Sequence, residues 1–330
     1  NKTLDLKEVA LKTKYSKEEL SKVITSQRAY LDLKIPELSI KDFDYGFHGE
    51  RFFTTISEIS VNNADLLVFR DRRPPDDMRY KPLYGYLLKH LPIDLTIAKA
   101  NVVNSKVAVE LLMAKASESG RIFFDDINVT ADNLANTYPP GNKTAIDVTT
   151  KFMGKAPVEL KWNFDATSET DEFDIAGSVQ NFNPAEMDSF LKSGLKVEVD
   201  GEIDQIYFTA TGNNTNATGD MLMKYKDFNF TVLQKDKDET NKFLTAVGNI
   251  FVHDGSKADA DGFRHGKIDV LRKTNKSFFN YLWECVQSGI ITTLTGLGVK
   301  ENKFNRMLKK KINENKKEEN KKVEKERKKQ

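Results

Sequence analysis

Apolar and polar residues alternate with a period of two along most of this chain, most regularly between positions 173 and 232. Phe173, Ile175, Gly177 and Val179 alternate with Asp174, Ala176, Ser178 and Gln180, and Leu195, Val197 and Val199 alternate with Lys196, Glu198 and Asp200. Ile206, Phe208 and Ala210 continue the pattern, then Met221, Met223 and Tyr225, then Phe228, Phe230 and Val232. Successive strand side chains point to opposite faces, so each run predicts a strand with one apolar and one polar side. Earlier runs predict strands around Leu31–Ile40, with a break at Pro36, and at Ile59–Val61 and Leu66–Phe69. Further strands are expected over 93–98, 107–113, 122–131, 146–152, 158–164 and 173–179. Turn sequences such as Pro139-Pro140-Gly141-Asn142 separate several of them, which indicates an antiparallel meander.

Helical signals are fewer. A short helix is expected over Leu83–His90, and a second begins with Asn183 as N-cap, Pro184 at the first position and Glu186 completing a capping box, with Gly194 closing it. A third is expected over Thr240–Val252, where Phe243, Leu244, Val247, Ile250 and Phe251 fall at helical spacing. Residues 278–299 are the most apolar stretch, with Glu284 as their only charge. Their Asn, Gln, Thr and Gly content argues against a spanning helix and for one buried at the sheet end or lying in a membrane interface. The chain therefore divides into a polar, partly helical segment (1–29), an antiparallel β domain (30–275), a closing apolar helix (276–300) and a basic tail, helical or disordered (301–330).

Charge changes this picture at one end only. The net charge of the 330 residues is +2, but 301–330 hold 13 Lys and Arg against 6 Glu, leaving the body mildly acidic. Lys309, Lys310, Lys311, Lys316 and Lys317 are the candidates for contact with anionic headgroups, beside the plainer reading of a solvated terminus. The body's acidity and the scarcity of aromatics in the tail argue against nucleic acid. Cys285 is the single cysteine, so no internal disulfide forms. The four histidines, His48, His90, His253 and His265, have no metal-ligand spacing, and no phosphate-binding loop or nucleophile elbow is present, so neither a cofactor nor an enzymatic role is expected.

Three stretches carry a family resemblance. The first comprises Gly177, Phe182, Pro184, Gly201, Ile203, Asn214, Ala217, Gly219, Met221, Tyr225, Asp227 and Phe228. The second runs from Asp71-Arg72-Arg73-Pro74-Pro75 through Pro82-Leu83 to Leu91-Pro92-Ile93-Asp94-Leu95. The third is Arg272, Ser277-Phe278-Phe279, Leu282-Trp283 and Gly289-Ile290. Over about residues 30–298 the chain resembles the C-terminal region of AsmA-like proteins of the Gram-negative envelope, in their Bacteroidetes form.

That resemblance implies a mainly β fold, a long curled antiparallel sheet forming a groove, with a few short helices. It implies a non-enzymatic envelope role in moving phospholipid between inner and outer membranes, or else in assembling outer-membrane proteins. It also implies a periplasmic location and an N-terminal inner-membrane anchor lying outside this chain. Alternation alone makes the apolar face the core of a sandwich. The resemblance makes it a lipid groove lined by Phe164, Val179, Val199, Phe208, Met221, Met223 and Phe230, with acyl chains as the ligand. In an open groove, a charge placed at Phe208 or Met223 is hydrated and the fold survives.

Overall fold

The structure is a computed structural model and describes residues 2–114, 116–195, 197–232 and 258–296, with side chains excluded at 194, 195 and 229–232. The alternating runs build one thirteen-stranded, mostly antiparallel sheet. Its strands are β1 (Thr3–Lys12), β2 (Ala29–Lys41), β3 (Asp44–His48), β4 (Arg51–Asn62), β5 (Asp65–Asp71), β6 (Asp94–Leu112) and β7 (Gly120–Ala135). They continue as β8 (Thr144–Phe152), β9 (Ala156–Phe164), β10 (Phe173–Phe182), β11 (Val197–Gly212), β12 (Asn216–Val232) and β13 (Arg264–Leu271). From β6 to β13 every strand pairs with its successor in sequence, the expected meander. The N-terminal part departs from it: β4 and β5 both lie parallel to β6.

Pro36 does not break its strand. β2 runs through it, pairing with β5 over Ala29–Lys34 and with β4 over Glu37–Lys41. A proline has no N–H to give to a ladder, and it sits where β2 changes partner. Glu8, near it on β1, has φ of 54°, and Asn63 in the turn after β4, Asn104 on β6 and Asp126 on β7 are also left-handed. Side-chain amides take over the interrupted pairing there. Asn104 Nδ2 donates to Asn63 Oδ1 at 2.7 Å, the Asn104 amide donates to Asn128 Oδ1 at 3.1 Å, and Asn128 Nδ2 donates to the Asp126 carbonyl at 2.9 Å. Along this line the apolar positions change phase, from Ala100 and Val102 to Val107, Val109 and Leu111 on β6. The two strands expected over 93–98 and 107–113 are therefore one.

Residues 1–29 contain a strand, β1, that their interrupted alternation concealed. They also contain the helix α1 (Lys17–Val23), whose capping box is complete: Ser16 Oγ accepts from the Glu19 amide and Glu19 accepts from the Ser16 amide. Leu20 of α1 covers Tyr30 and Phe69, which form a small cluster of their own. The helix α2 (Tyr84–Lys89) follows the charged loop after β5. Asn183 caps the next helical segment, accepting from the Ala185 amide at 3.0 Å. Its capping box is not completed, because Glu186 instead accepts from Lys155 Nζ at 2.8 Å. That segment is irregular: a 3₁₀ turn over Pro184–Met187, α3 (Asp188–Phe190) and a π turn over Leu191–Leu195.

The closing helix α4 (Phe278–Thr295) is capped by Ser277 and buries Phe278, Tyr281, Cys285, Gly289, Thr292, Thr293 and Leu294. Trp283 lies on its flank, half-buried, and meets Phe190 edge-on at 6.5 Å. The small and polar residues that argued against a spanning helix are its contact surface. A Cβ on Gly289 would lie 2.6 Å from Met221 Cε, and one on Gly266 of β13 would lie 2.6 Å from the Gly289 carbonyl oxygen. No described helix is long and apolar enough to cross a membrane. The helix expected at 240–252 and the basic tail lie outside the described residues.

Candidate functional site: one apolar face, half roofed

Strand register carries apolar positions across the whole sheet in unbroken rows. One row runs Ile268, Gly219, Ala210, Ile175, Trp162, Ile146, Ala131, Ala100, Ile59, Ile40 and Leu4, from β13 to β1. The adjacent row runs Met221, Phe208, Gly177, Leu160, Val148, Val129, Val102, Val61, Leu38 and Leu6. Neighbours in such a row stand about 5 Å apart, close enough for side chains to pack laterally. The opposite face is polar and holds ion pairs such as Lys143–Asp174 at 2.8 Å and Lys267–Asp220. A shallow depression of about 430 Å³ on that side is lined by Lys161, Asn163, Asp174, Thr209, Thr211, Thr218 and Asp220, among others.

Burial falls from the β13 end of these rows to the β1 end, with the small Ala131 an exception. Ile268, Ile175, Phe208 and Met221 are buried; Leu160, Val148, Val129, Val102, Val61 and Leu38 are half-buried; Leu6 is 38% exposed and Leu4 41%. The cause is the helices. α4 lies over β11, β12 and β13, and the 184–195 segment reaches β6, β7 and β11. At the other strand ends Trp162 stacks on Phe278 at 4.3 Å, Tyr84 of α2 meets both rings edge-on, and Phe173 meets Phe278 and Tyr281. Phe152 contacts Phe182 at 5.3 Å across the fully buried Ala156, whose small side chain lets the rings meet.

The residues expected to line a groove are brought together on this face, but in its roofed half. Phe164, Val199, Phe208, Met221 and Met223 are buried members of the main core, and Val179 packs against it half-buried. Phe230 pairs with Val199 in the register, and its side chain is outside the described part. Met223 is 0% exposed, so it cannot line an open groove here; a charge there has no water to meet. Lys309, Lys310, Lys311, Lys316 and Lys317 lie outside the described residues. The open apolar positions, Leu38, Ile40, Ile59, Val61 and Val102, alternate just as regularly. Alternation marks a face, and nothing in it distinguishes the part a distant helix will cover.

Under the roof sits a polar knot. Asp171 is buried beside the start of α2 and accepts from the Tyr86 amide at 2.8 Å, while burial raises its carboxyl above the ordinary value. Arg272, also buried, donates to the Lys81 carbonyl and lies 5.6 Å from the Tyr80 ring. With Lys81 N donating to the Thr274 carbonyl and Lys276 paired to Asp76 at 2.6 Å, it straps the loop after β5 to the lead-in of α4. Burial raises the Tyr281 hydroxyl and pushes the Cys285 thiol up to about 12, so that thiol is no nucleophile at neutral pH. Among the described histidines, His90 stacks on Tyr86, His48 on Phe53, and His265 pairs with Asp259 at 2.7 Å. Among the described residues no cluster of His, Cys, Asp and Glu is placed to hold a metal ion. A scan against protein-family models finds no match for this chain, and a search of curated proteins finds none either.

Proposed function

We propose that this chain is a non-enzymatic, periplasmic envelope protein whose sheet shields lipid acyl chains on the open half of its apolar face. The observation that carries this reading is the pair of unbroken apolar rows that leave the roofed core and continue, half-exposed, to Leu4 and Leu6. Contiguous exposed apolar surface on that scale marks a binding site more often than plain surface. A chain of methylenes is the ligand that a strip of Val, Ile and Leu side chains with a polar reverse face suits. The AsmA-like sequence pattern supports the same role, carriage of phospholipid between the two envelope membranes.

Photocrosslinkers at Val61 and Val102 should capture phospholipid, identified by mass spectrometry, whereas one at Met223 should capture none. Val102→Glu should lower the amount of co-purified lipid and leave the melting temperature almost unchanged, because a half-exposed charge stays hydrated. Protein free of lipid, with no adduct at Val61 or Val102, defeats the proposal.

A further inference from the structure

The hairpin β3–β4 carries the most exposed aromatic ridge of the described sheet. Phe47 is 68% exposed and Tyr45 60%. Phe43 stacks on Tyr45 at 6.2 Å, Tyr45 meets Phe52 at 6.3 Å, and Phe47 meets Phe52 edge-on at 5.3 Å. Nothing in their packing needs them to be aromatic for the fold's sake. The register fixes which way they look: Tyr45 lies opposite Thr54, and Thr54 lies beside Leu95, which packs against the main core. The ridge therefore extends the apolar face of the sheet.

We infer that this ridge is a docking element for the interface of a lipid bilayer. Two features select a bilayer over a protein partner. The free area is small: two rings of roughly 150–250 Å² each, about two-thirds exposed, fall far short of the roughly 800 Å² a stable protein interface takes from each partner. Asp44 is paired with Lys2 at 3.0 Å and Arg51 with Asp94, and the remaining carboxylates beside the rings, Asp42 and Glu50, sit in the flanking turns, so the ringed face itself presents no charged patch to a protein partner. A tyrosine ring partitions into the headgroup boundary, where its apolar body and polar edge are both accommodated, and a phenylalanine ring beside it adds apolar area. The turn residues Gly49 and Glu50 are polar, so the hairpin lies against the interface by its ringed face and does not enter tip first. Docked in this way, the open apolar face of the sheet starts at the acyl boundary. The inference does not depend on lipid carriage, because a hairpin can dock whether or not the sheet holds a ligand.

The test is flotation of the whole chain with neutral phosphatidylcholine vesicles in high salt, which silences the basic tail. Tyr45→Ser with Phe47→Ser should lower the partition coefficient about tenfold or more, since binding scales with apolar area inserted. Phe279→Ser, at a ring 62% exposed on α4, should leave it unchanged. Thermal melts of both variants should match the parent, because the replaced rings are exposed. Equal flotation of the double variant, or no flotation of the parent, overturns the inference. Sedimentation showing self-association of the parent that the double variant loses, without flotation, overturns it in favour of a contact between two copies. Lipid co-purification, measured separately on the double variant, should persist if the sheet carries lipid, so failure of docking and failure of carriage are read apart.

Discussion

The two halves of the sheet obey the same alternation and meet different fates. From β9 to β13, and over one end of β6 and β7, the apolar face lies under α4, α2 and the 184–195 segment, and its central residues are excluded from water. From β6 to β2 the two rows continue with side chains half-buried by their lateral neighbours, and on β1 they end exposed. Pattern alone therefore sets the face, and the helices that return to it decide whether that face is core or surface. A roofed position is a stability residue; its open counterpart in the same row is free to serve a ligand.

The sharpest way to break this comparison is to place one charge in each half. Met223→Lys should cost several kcal/mol, enough to abolish cooperative unfolding or lower its midpoint steeply, since a buried unpaired ammonium has no partner. Val61→Lys, on the same face, should cost within about 1 kcal/mol. Similar denaturation midpoints for the two variants would erase the distinction between the halves.

Next in size is Gly266→Val, which drives a side chain into the α4 backbone and should cost about 1–3 kcal/mol. Cys285 reports where that energy goes. In the parent protein its thiol, buried and raised to about 12, should react with a thiol reagent at slightly alkaline pH roughly a thousandfold more slowly than in denaturant. In Gly266→Val the reactivity should rise sharply before global unfolding, as α4 lifts; if it does not, α4 is not the roof.

The smallest effect concerns Asp171. Its carboxyl ionises in the unfolded chain at the ordinary value and in the folded chain only at higher pH. Its favourable contribution is thus present at acidic pH and lost as pH rises through the raised folded value. Asp171→Asn keeps an acceptor for the Tyr86 amide and removes the buried charge. The stability of the parent relative to this variant should fall as pH rises from the ordinary carboxyl value through the raised folded one, and level off above it. A flat difference would show that the carboxylate is solvated despite its position.

Most strands were legible in the sequence, though β3 and β13 were not expected, and two of the errors share one cause. At Glu8, near Pro36, and at Asn104, left-handed residues shift the apolar phase by one, so β1 was hidden and β6 read as two strands. An alternation test assumes constant phase, and here neighbouring strands change phase along one line. The capping box at Asn183 failed because Lys155, distant in sequence, takes the Glu186 carboxylate. The threonines and glycines of 288–293 read as polar interruptions; they pack closely because β13 offers Gly266. The candidate lining residues with described side chains lie on one face but under its roof, for the roof is a tertiary event between α4 and strands that precede it.

The strap between the loop after β5 and the approach to α4 has a kinetic meaning. Strands β6 to β13 each pair with the next, so that meander can form from short-range hairpin contacts. The hydrogen bond from Arg272 to the Lys81 carbonyl spans 191 positions and has no partner until β13 has emerged. Closing so long a loop costs more chain entropy than closing any hairpin of the meander. During synthesis the early strands emerge first, and α4, when it arrives, covers β11 to β13 and leaves the apolar rows of the early strands as they were. The open half of the sheet is thus the part that the nascent chain exposes longest.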